Sequence, residues 1–378
     1  MLIVAECLQT NGAMMSLVGL LNALSQKDYE ISLFCFNHTG ELMTQVPRHV
    51  NVLPEISAYR VFSQFKNIAI KWAVQHLRLD LALFRACVWL ERGLKLRPRL
   101  WRLLPRVEGD WDVVCGYADG LLSEIVISKF KGARKALWVH ENYEDTKPSV
   151  NIRVAFEKAD GIVCVSQDAM EHFEKWFGKS VGDKARVIHN VTDPERCRKL
   201  ADKSESLNND DVPTIVSVGR LSHEKGYDLV PKIACILKER GVNFKWQVIG
   251  GGLPEIAAEM KMVDSVEVLG PQFNPYLYIK NAKLLVSLSR AEGWGMNVSE
   301  ALALHKPVIC SDIAVYREQV RDGENGFCVE RTPKAFADAI EKLLTDEELY
   351  AKMCVAADCE ICSPEAVRRE FSQLMAMI

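Results

Sequence analysis

The chain of 378 residues has no run of 18 or more apolar residues, so no membrane-crossing helix is expected. Met1–Glu6 shows no charged leader and no cleavable apolar segment, and it reads as the start of a strand, so no signal peptide is expected. Cysteine is too sparse and too scattered for a disulfide scaffold. There are twelve, and several (Cys35, Cys164, Cys310, Cys328) fall in expected buried strands, where they act as small apolar residues. The lone CxxC, Cys359–Cys362, lacks the second pair or nearby histidines that zinc needs. The only DxD triplet, Asp110–Asp112, opens an expected strand and reads as strand-edge chemistry, so no metal is expected. There is no strong internal repeat and no nucleic-acid recognition module, and a net charge of −3 does not favour a nucleic-acid partner. What remains is a globular composition, 48% hydrophobic and 26% charged, in a chain long enough for two domains and by default cytoplasmic.

Short apolar runs alternate with helix-length segments. In the first half the expected strands are Leu2–Ala5, Glu30–Cys35, Val50–Leu53, Val113–Gly116, Ala136–His140, Gly161–Ser166 and Arg186–His189. In the second half they are Thr214–Val218, Lys245–Ile249, Ser265–Leu269, Leu284–Leu288, Pro307–Cys310 and Gly326–Val329. Such alternation indicates parallel sheets covered by helices. Between the halves, Ala201–Pro213 is polar and lacks aromatics, as a linker does.

Two stretches carry chemistry. Glu292–Glu300 places a carboxylate at each end of a run containing Gly293 and Gly295, with an apolar strand before it and a helix-forming run after it. The order strand, glycine loop, helix puts backbone N–H groups at a helix N-terminus, which suits an anion. Glu292 would stand on the loop and Glu300 about one turn into the helix, so both could face one ligand bearing phosphate and hydroxyl groups, such as a nucleotide sugar. The plainer alternative is a surface βα unit with two solvated glutamates. The second stretch, Gly219–Tyr227, again lies between a strand and a helix. Arg220 offers a planar fork and Lys225 a compact charge, where open α/β sheets bind ligands. Glu224 beside Lys225 leaves open a simple surface ion pair.

With these residues in place, the chain resembles the GT4 glycosyltransferases, a family of retaining enzymes. The resemblance rests on Gly219–Gly226, Gly270–Tyr278 and Glu292–Glu300, and more weakly on Asn11–Gly12, Trp138–His140 and Asn190–Asp193. It implies an α/β, GT-B fold: two Rossmann-like domains with parallel sheets facing across a cleft. Residues 1–200 would bind the acceptor, with a last helix over about 363–378 packing back on them, and residues 212–362 would bind the nucleotide sugar.

The resemblance also implies roles. Arg220 and Lys225 would hold the donor diphosphate and stabilise the charge growing on it as the donor bond breaks, in place of a metal or other cofactor. Glu300 would accept from ribose hydroxyls and Glu292 would fix the transferred sugar. Gly219, Gly250 and the N–H groups of Gly295, Met296 and Asn297 would complete the donor cradle, with Gly270, Pro271 and Gln272 facing the base. The glycine turn Gly250–Gly252 lacks the acidic residue that many family members carry there. On the acceptor side stand Asn11, Gly12, Asn190 and His140, the last orienting a hydroxyl or helping to move a proton. Val191 replaces the glycine of the family's Asn-Gly-x-Asp turn.

One region breaks the charge balance. Residues 60–107 hold Arg60, Lys66, Lys71, Arg78, Arg85, Arg92, Lys95, Arg97, Arg99, Arg102 and Arg106 against only Asp80 and Glu91. Phe62, Phe65, Trp72, Phe84, Trp89 and Trp101 interleave with them. This reads as an element lying on an anionic membrane surface, where each Lys or Arg contributes roughly 1 kcal/mol. The plainer alternative is helices covering the first sheet with snorkelling stems. The expectation is a peripheral protein at the inner face of the membrane, moving sugar to a glycan or lipid-linked acceptor. Two rivals remain: a GT-B epimerase or soluble-sugar synthase, and a non-catalytic GT-B partner subunit.

Overall fold

The computed structural model describes residues 1–24, 28–94, 99–143, 150–202 and 212–378. Its contacts group into two units, Met1–Val165 with Ala169–Ile188 and Arg368–Ile378, and Ser166–Asp168 with His189–Val367. Lys95, Arg97 and most of the expected linker lie outside the described residues.

The first unit holds the strands β1 (Leu2–Ala5), β2 (Ser32–Cys35), β3 (Asn51–Val52), β4 (Val113–Gly116), β5 (Arg134–Val139), β6 (Gly161–Cys164) and β7 (Ala185–Val187). They form one seven-stranded sheet in the order β3-β2-β1-β4-β5-β6-β7. Every pairing in it is parallel. Each strand is a short apolar run because parallel strands are covered on both faces, and β1 and β6 are buried throughout. Helix α1 (Gly12–Ala23) follows β1. After β3 come α2 (Ser57–Ser63), α3 (Lys66–Gln75) and α4 (Leu79–Gly93). The terminal helix Pro364–Met377 runs into this unit. Arg368 Nε donates to the Ala23 carbonyl at 2.9 Å, and Phe371 meets Tyr29 edge-on with 5.4 Å between ring centroids.

The second unit holds β8 (Thr214–Val218), β9 (Lys245–Ile249), β10 (Val266–Gly270), β11 (Leu284–Ser287), β12 (Val308–Ser311) and β13 (Gly326–Val329). They form a six-stranded parallel sheet in the order β10-β9-β8-β11-β12-β13. Its core joins Trp246, Val248 and Ile309 from the strands to Ile233, Phe336 and Ile340 from the covering helices. All thirteen expected strands are present, with ends displaced by a residue or two. Both sheets have a point where strand order reverses, between β1 and β4 in one and between β8 and β11 in the other. Open parallel sheets bind ligands there, beyond the carboxyl ends of the strands.

Sequence placed residues 189–200 with the first domain, whereas the structure groups them with the second unit. The reason is packing. The helix Pro194–Ala201 lies against Tyr276–Asn281 and Met296–Ala303, and Thr192 Oγ1 shares a buried hydrogen bond of 2.7 Å with Ser299 Oγ.

Candidate functional site

The loops after β8 and β11 flank the reversal in the second sheet, and the structure joins them through two residues 67 positions apart. Lys225 Nζ donates to Glu292 Oε1 at 2.5 Å, with side chains 24% and 10% exposed. Ser289 Oγ donates to the same oxygen at 2.7 Å, and the Tyr316 hydroxyl reaches it at 3.3 Å. Tyr316 is itself held 2.6 Å from Ser287 Oγ at the end of β11. Glu292 is therefore fixed on one oxygen by three donors. An ammonium has three N–H donors, and its bond to Glu292 occupies one of them. Removing either charge from so enclosed a pair would leave the other poorly compensated.

Backbone geometry lets the loops approach. Gly226 sits at φ 72°, and a Cβ there would lie 2.0 Å from the Leu288 carbonyl oxygen. Gly295 sits at φ 83°, and a Cβ there would come within 2.5 Å of the Tyr316 ring. Only glycine meets both demands at no steric cost. Beyond Gly295 the helix Met296–Ala303 begins. Among the described residues, the N–H groups of Gly295, Met296 and Asn297 donate to no protein acceptor, as expected for a helix start. Asn297 Nδ2 donates to the Val218 carbonyl at 3.0 Å and to Ser287 Oγ at 3.3 Å, tying that start to β8 and β11.

Glu300 lies just over one turn into this helix and is buried. The Tyr276 hydroxyl donates to its Oε1 at 2.8 Å. Burial pushes its carboxyl up to about 7, against the opposing pull of the Tyr276 hydrogen bond and the nearby Arg196 charge. The adjoining loops are packed in register. Gly219 N–H donates to the Ile249 carbonyl, Gly250 N–H to the Gly270 carbonyl, and Leu221 N–H to the Gly251 carbonyl, each at 2.9 Å. Pro271 lies against Gly251, and Gln272 Nε2 donates to the Leu269 carbonyl at 2.9 Å. Arg220 is exposed at the rim and pairs with Glu224 at 3.2 Å, so Glu224 pairs with Arg220 and not with Lys225.

In the first unit, Asn11 and Gly12 are exposed after β1. Asn11 Oδ1 caps α1 by accepting from Met14 N–H at 3.0 Å. His140 directly follows β5, with its ring 4.9 Å from that of Tyr117. Both of its ring nitrogens are buried without a hydrogen-bond partner, and burial lowers its pKa to about 4. Asn190 belongs to the second unit, where its Oδ1 is buried and likewise unpartnered.

Sequence reasoning missed four residues. Ser289 and Tyr316 hold Glu292, and Tyr276 holds Glu300. Asp119, after β4 at the reversal of the first sheet, accepts from Glu141 N–H at 3.2 Å and so braces the loop beside His140. Burial, with the Glu141 charge adding to it, pushes Asp119 up to about 6. Its position beyond β4 was the available signal. Among the described residues no cluster of three or more His, Cys, Asp or Glu suited to a metal is present, and no helix is long and apolar enough to cross a membrane.

Comparison with known proteins also divides the chain into two parts. Residues 10–196 match the model described as Glycosyltransferase Family 4, and residues 199–358 the one described as Glycosyl transferases group 1. The chain is 29% identical over 164 residues to alpha-D-kanosaminyltransferase of Streptomyces kanamyceticus, covering 41% of this chain and 42% of that protein. It is 32% identical over 158 residues to the capsular polysaccharide biosynthesis glycosyltransferase CapM of Staphylococcus aureus, covering 40% and 41%. It is 26% identical over 220 residues to N-acetylgalactosamine-N,N'-diacetylbacillosaminyl-diphospho-undecaprenol 4-alpha-N-acetylgalactosaminyltransferase of Campylobacter jejuni, covering 56% and 58%. The chain spans about half the length of the curated relatives it matches. Among solved structures, Anabaena Alr3699/HepE in complex with UDP and glucose superposes with TM-score 0.67 at 17% identity, covering 100% of this chain and 99% of that one. The two parallel-sheet units and these matches define a protein of the GT-B glycosyltransferase fold. The chain belongs to the GT4 family of glycosyltransferases.

Proposed function

We propose that this protein transfers a sugar from a nucleoside diphosphate donor to an acceptor hydroxyl, with retention at the anomeric carbon and without a metal. The observation that carries this reading is the Lys225–Glu292 bond across the strand-order reversal, with Glu300 one turn deeper. The bond from the anomeric carbon to phosphate oxygen breaks, and its electron pair leaves with the diphosphate. The remaining Lys225 donors, Arg220 and the N–H groups of Gly295–Asn297 meet that growing charge, stabilising the transition state more than the bound substrate. Glu292 accepts from sugar hydroxyls and Glu300 from ribose hydroxyls. The acceptor oxygen bonds to the anomeric carbon as its proton passes to an oxygen of the departing diphosphate. His140, held neutral by burial, accepts a hydrogen bond from that hydroxyl; with a pKa near 4 it orients the hydroxyl better than it removes the proton.

The acceptor in this reading is a lipid-linked glycan at an anionic membrane surface, met by residues 60–107. The basic excess of that segment supports it, as do the names of relatives, one of which acts on a diphospho-undecaprenol-linked substrate. The test incubates the chain with UDP-, GDP- and ADP-sugars, with and without an extract of polyprenyl-diphosphate-linked glycans. The expected result is acceptor-dependent release of nucleoside diphosphate and a product of unchanged anomeric configuration. Conversion of donor alone would identify an epimerase instead.

A further inference from the structure

The described residues between 57 and 107 fold as α2, α3, α4 and a short 3-10 turn at Leu100–Leu103, and they divide sharply between two surroundings. One side belongs to the core of the first unit. Tyr59, Phe62, Val88 and Trp101 are buried there, and Trp72 and Phe84 are partly buried. Of the six aromatics that sequence placed among the basic residues, only Phe65 and Trp89 are exposed. The other side is open and apolar. Ten of the seventeen exposed large hydrophobic residues among the described residues fall between Phe65 and Leu103.

Their spacing is ordered. On α4 the exposed positions Leu79, Leu83, Cys87, Leu90 and Leu94 recur at intervals of three or four, a single stripe along the helix and past its end. The turn between α3 and α4 carries Leu77, 87% exposed at φ 55°, a conformation costly for a side chain this large. A soluble monomer seldom shows so continuous an apolar face.

The charges decide what covers it. Both acidic residues of the segment are already engaged. Asp80 pairs with Arg78 at 2.8 Å, and Glu91 accepts the Arg99 N–H at 2.7 Å and the Leu100 N–H at 3.2 Å. Arg60 pairs with Glu55, and Arg85 is buried with its Nε and Nη2 on the Gln64 carbonyl. Lys66 lies 3.5 Å over the Trp89 ring, while Lys71 and Arg102 are exposed. The segment thus presents exposed leucines together with exposed cations, with its carboxylates spent internally. Two copies set face to face would bring like charges together. An anionic leaflet satisfies both features, hydrocarbon for the leucines and headgroups for the cations.

We propose that the α3–α4 hairpin is a docking element that embeds the Leu79–Leu94 stripe and Leu77 in the headgroup–acyl boundary of an anionic bilayer. This deepens the reading of a membrane-proximal acceptor and rests on it for its purpose, though not for its physics. Insertion of leucine makes the attachment resistant to salt, whereas cation attraction alone is screened.

The test is co-sedimentation with vesicles of phosphatidylglycerol and phosphatidylethanolamine, and with phosphatidylcholine alone, at 0.1 M and 0.5 M NaCl. The wild-type chain is expected to bind the anionic vesicles and to keep a measurable fraction bound at high salt. Leu83→Glu/Leu90→Glu should lower partitioning at least tenfold, while its melting temperature stays within a few degrees because both residues are already exposed. An environment-sensitive label at Cys87, in a Cys235→Ser background, should shift to the blue on anionic vesicles. No vesicle binding, equal binding by the double variant, or a wild-type dimer that the double variant dissolves would each overturn the proposal. Acceptor-dependent nucleotide release is followed on the same samples. A chain that binds vesicles but releases no nucleotide leaves the docking element standing and removes the transfer reading instead.

Discussion

At the scale of single residues, the site depends on how charge is enclosed. Lys225 and Glu292 are bonded to each other and share their surroundings with Ser289 and Tyr316. Lys225→Ala is expected to lower the rate of nucleotide release by about 100-fold or more, the usual scale for losing a group aimed at transition-state charge. Glu292→Gln keeps the shape and should fall comparably in turnover, with far-UV circular dichroism unchanged for both. Unchanged release in both variants would contradict the assignment. Glu300 makes a separate prediction. Its folded pKa of about 7 lies above an ordinary 4.5, so the folded chain binds the extra proton. Stability should therefore fall as pH rises from about 4.5 to 7, by about 3 kcal/mol, and then level off. Glu300→Gln should remove that slope in urea titrations. In the proposed reading ribose hydroxyls donate to the ionised carboxylate, so nucleotide binding near pH 6.5 should release protons. Calorimetry in buffers of different ionisation enthalpy would show this, and proton uptake would contradict it.

At the scale of elements, two glycine-bearing turns let the loops after two strand ends approach each other closely. Gly226→Ala forces a Cβ against the Leu288 carbonyl from a left-handed backbone, and a loss of about 1–3 kcal/mol is expected, read as a lower melting temperature together with weaker nucleotide binding. Loss of stability with unaltered binding would show that the two loops do not form one site. Much at this scale was legible in the sequence. Strands such as β8 and β11 announce themselves because parallel strands buried on both faces need uninterrupted apolar residues. The glycine loops after them announce themselves by residue type. The partners of each carboxylate were not legible. Tyr316 reaches Glu292 from a later helix and Ser289 from three residues before it, and hydroxyls carry no pattern of their own. Tyr276 stood inside a quoted motif but gained a role only when the structure set it against buried Glu300. Asp119 became visible only once strand order placed it at a reversal. The aromatics of residues 60–107 show the opposite failure, since composition cannot tell Trp101, buried in the core, from Trp89, exposed on α4.

At the scale of the whole molecule, two parallel-sheet units divide the work in the proposed account. The second holds the nucleotide through charge set at strand ends, and the first carries Asn11, Gly12 and His140 of the acceptor side and the apolar, basic hairpin. The terminal helix Pro364–Met377 leaves the second unit and joins the first through Arg368 and Phe371. Arg368→Ala removes its hydrogen bond to the Ala23 carbonyl and should cost about 1–2 kcal/mol, seen as a lower urea midpoint. The central claim, that a nucleoside diphosphate binds at the β8 and β11 loops, is tested most directly by calorimetric titration of wild-type and Lys225→Ala chains with UDP, GDP and ADP. The account predicts that one of these nucleotides binds the wild-type chain and that Lys225→Ala weakens it at least tenfold. Binding of equal strength in both chains, or no binding by the wild type, would contradict it.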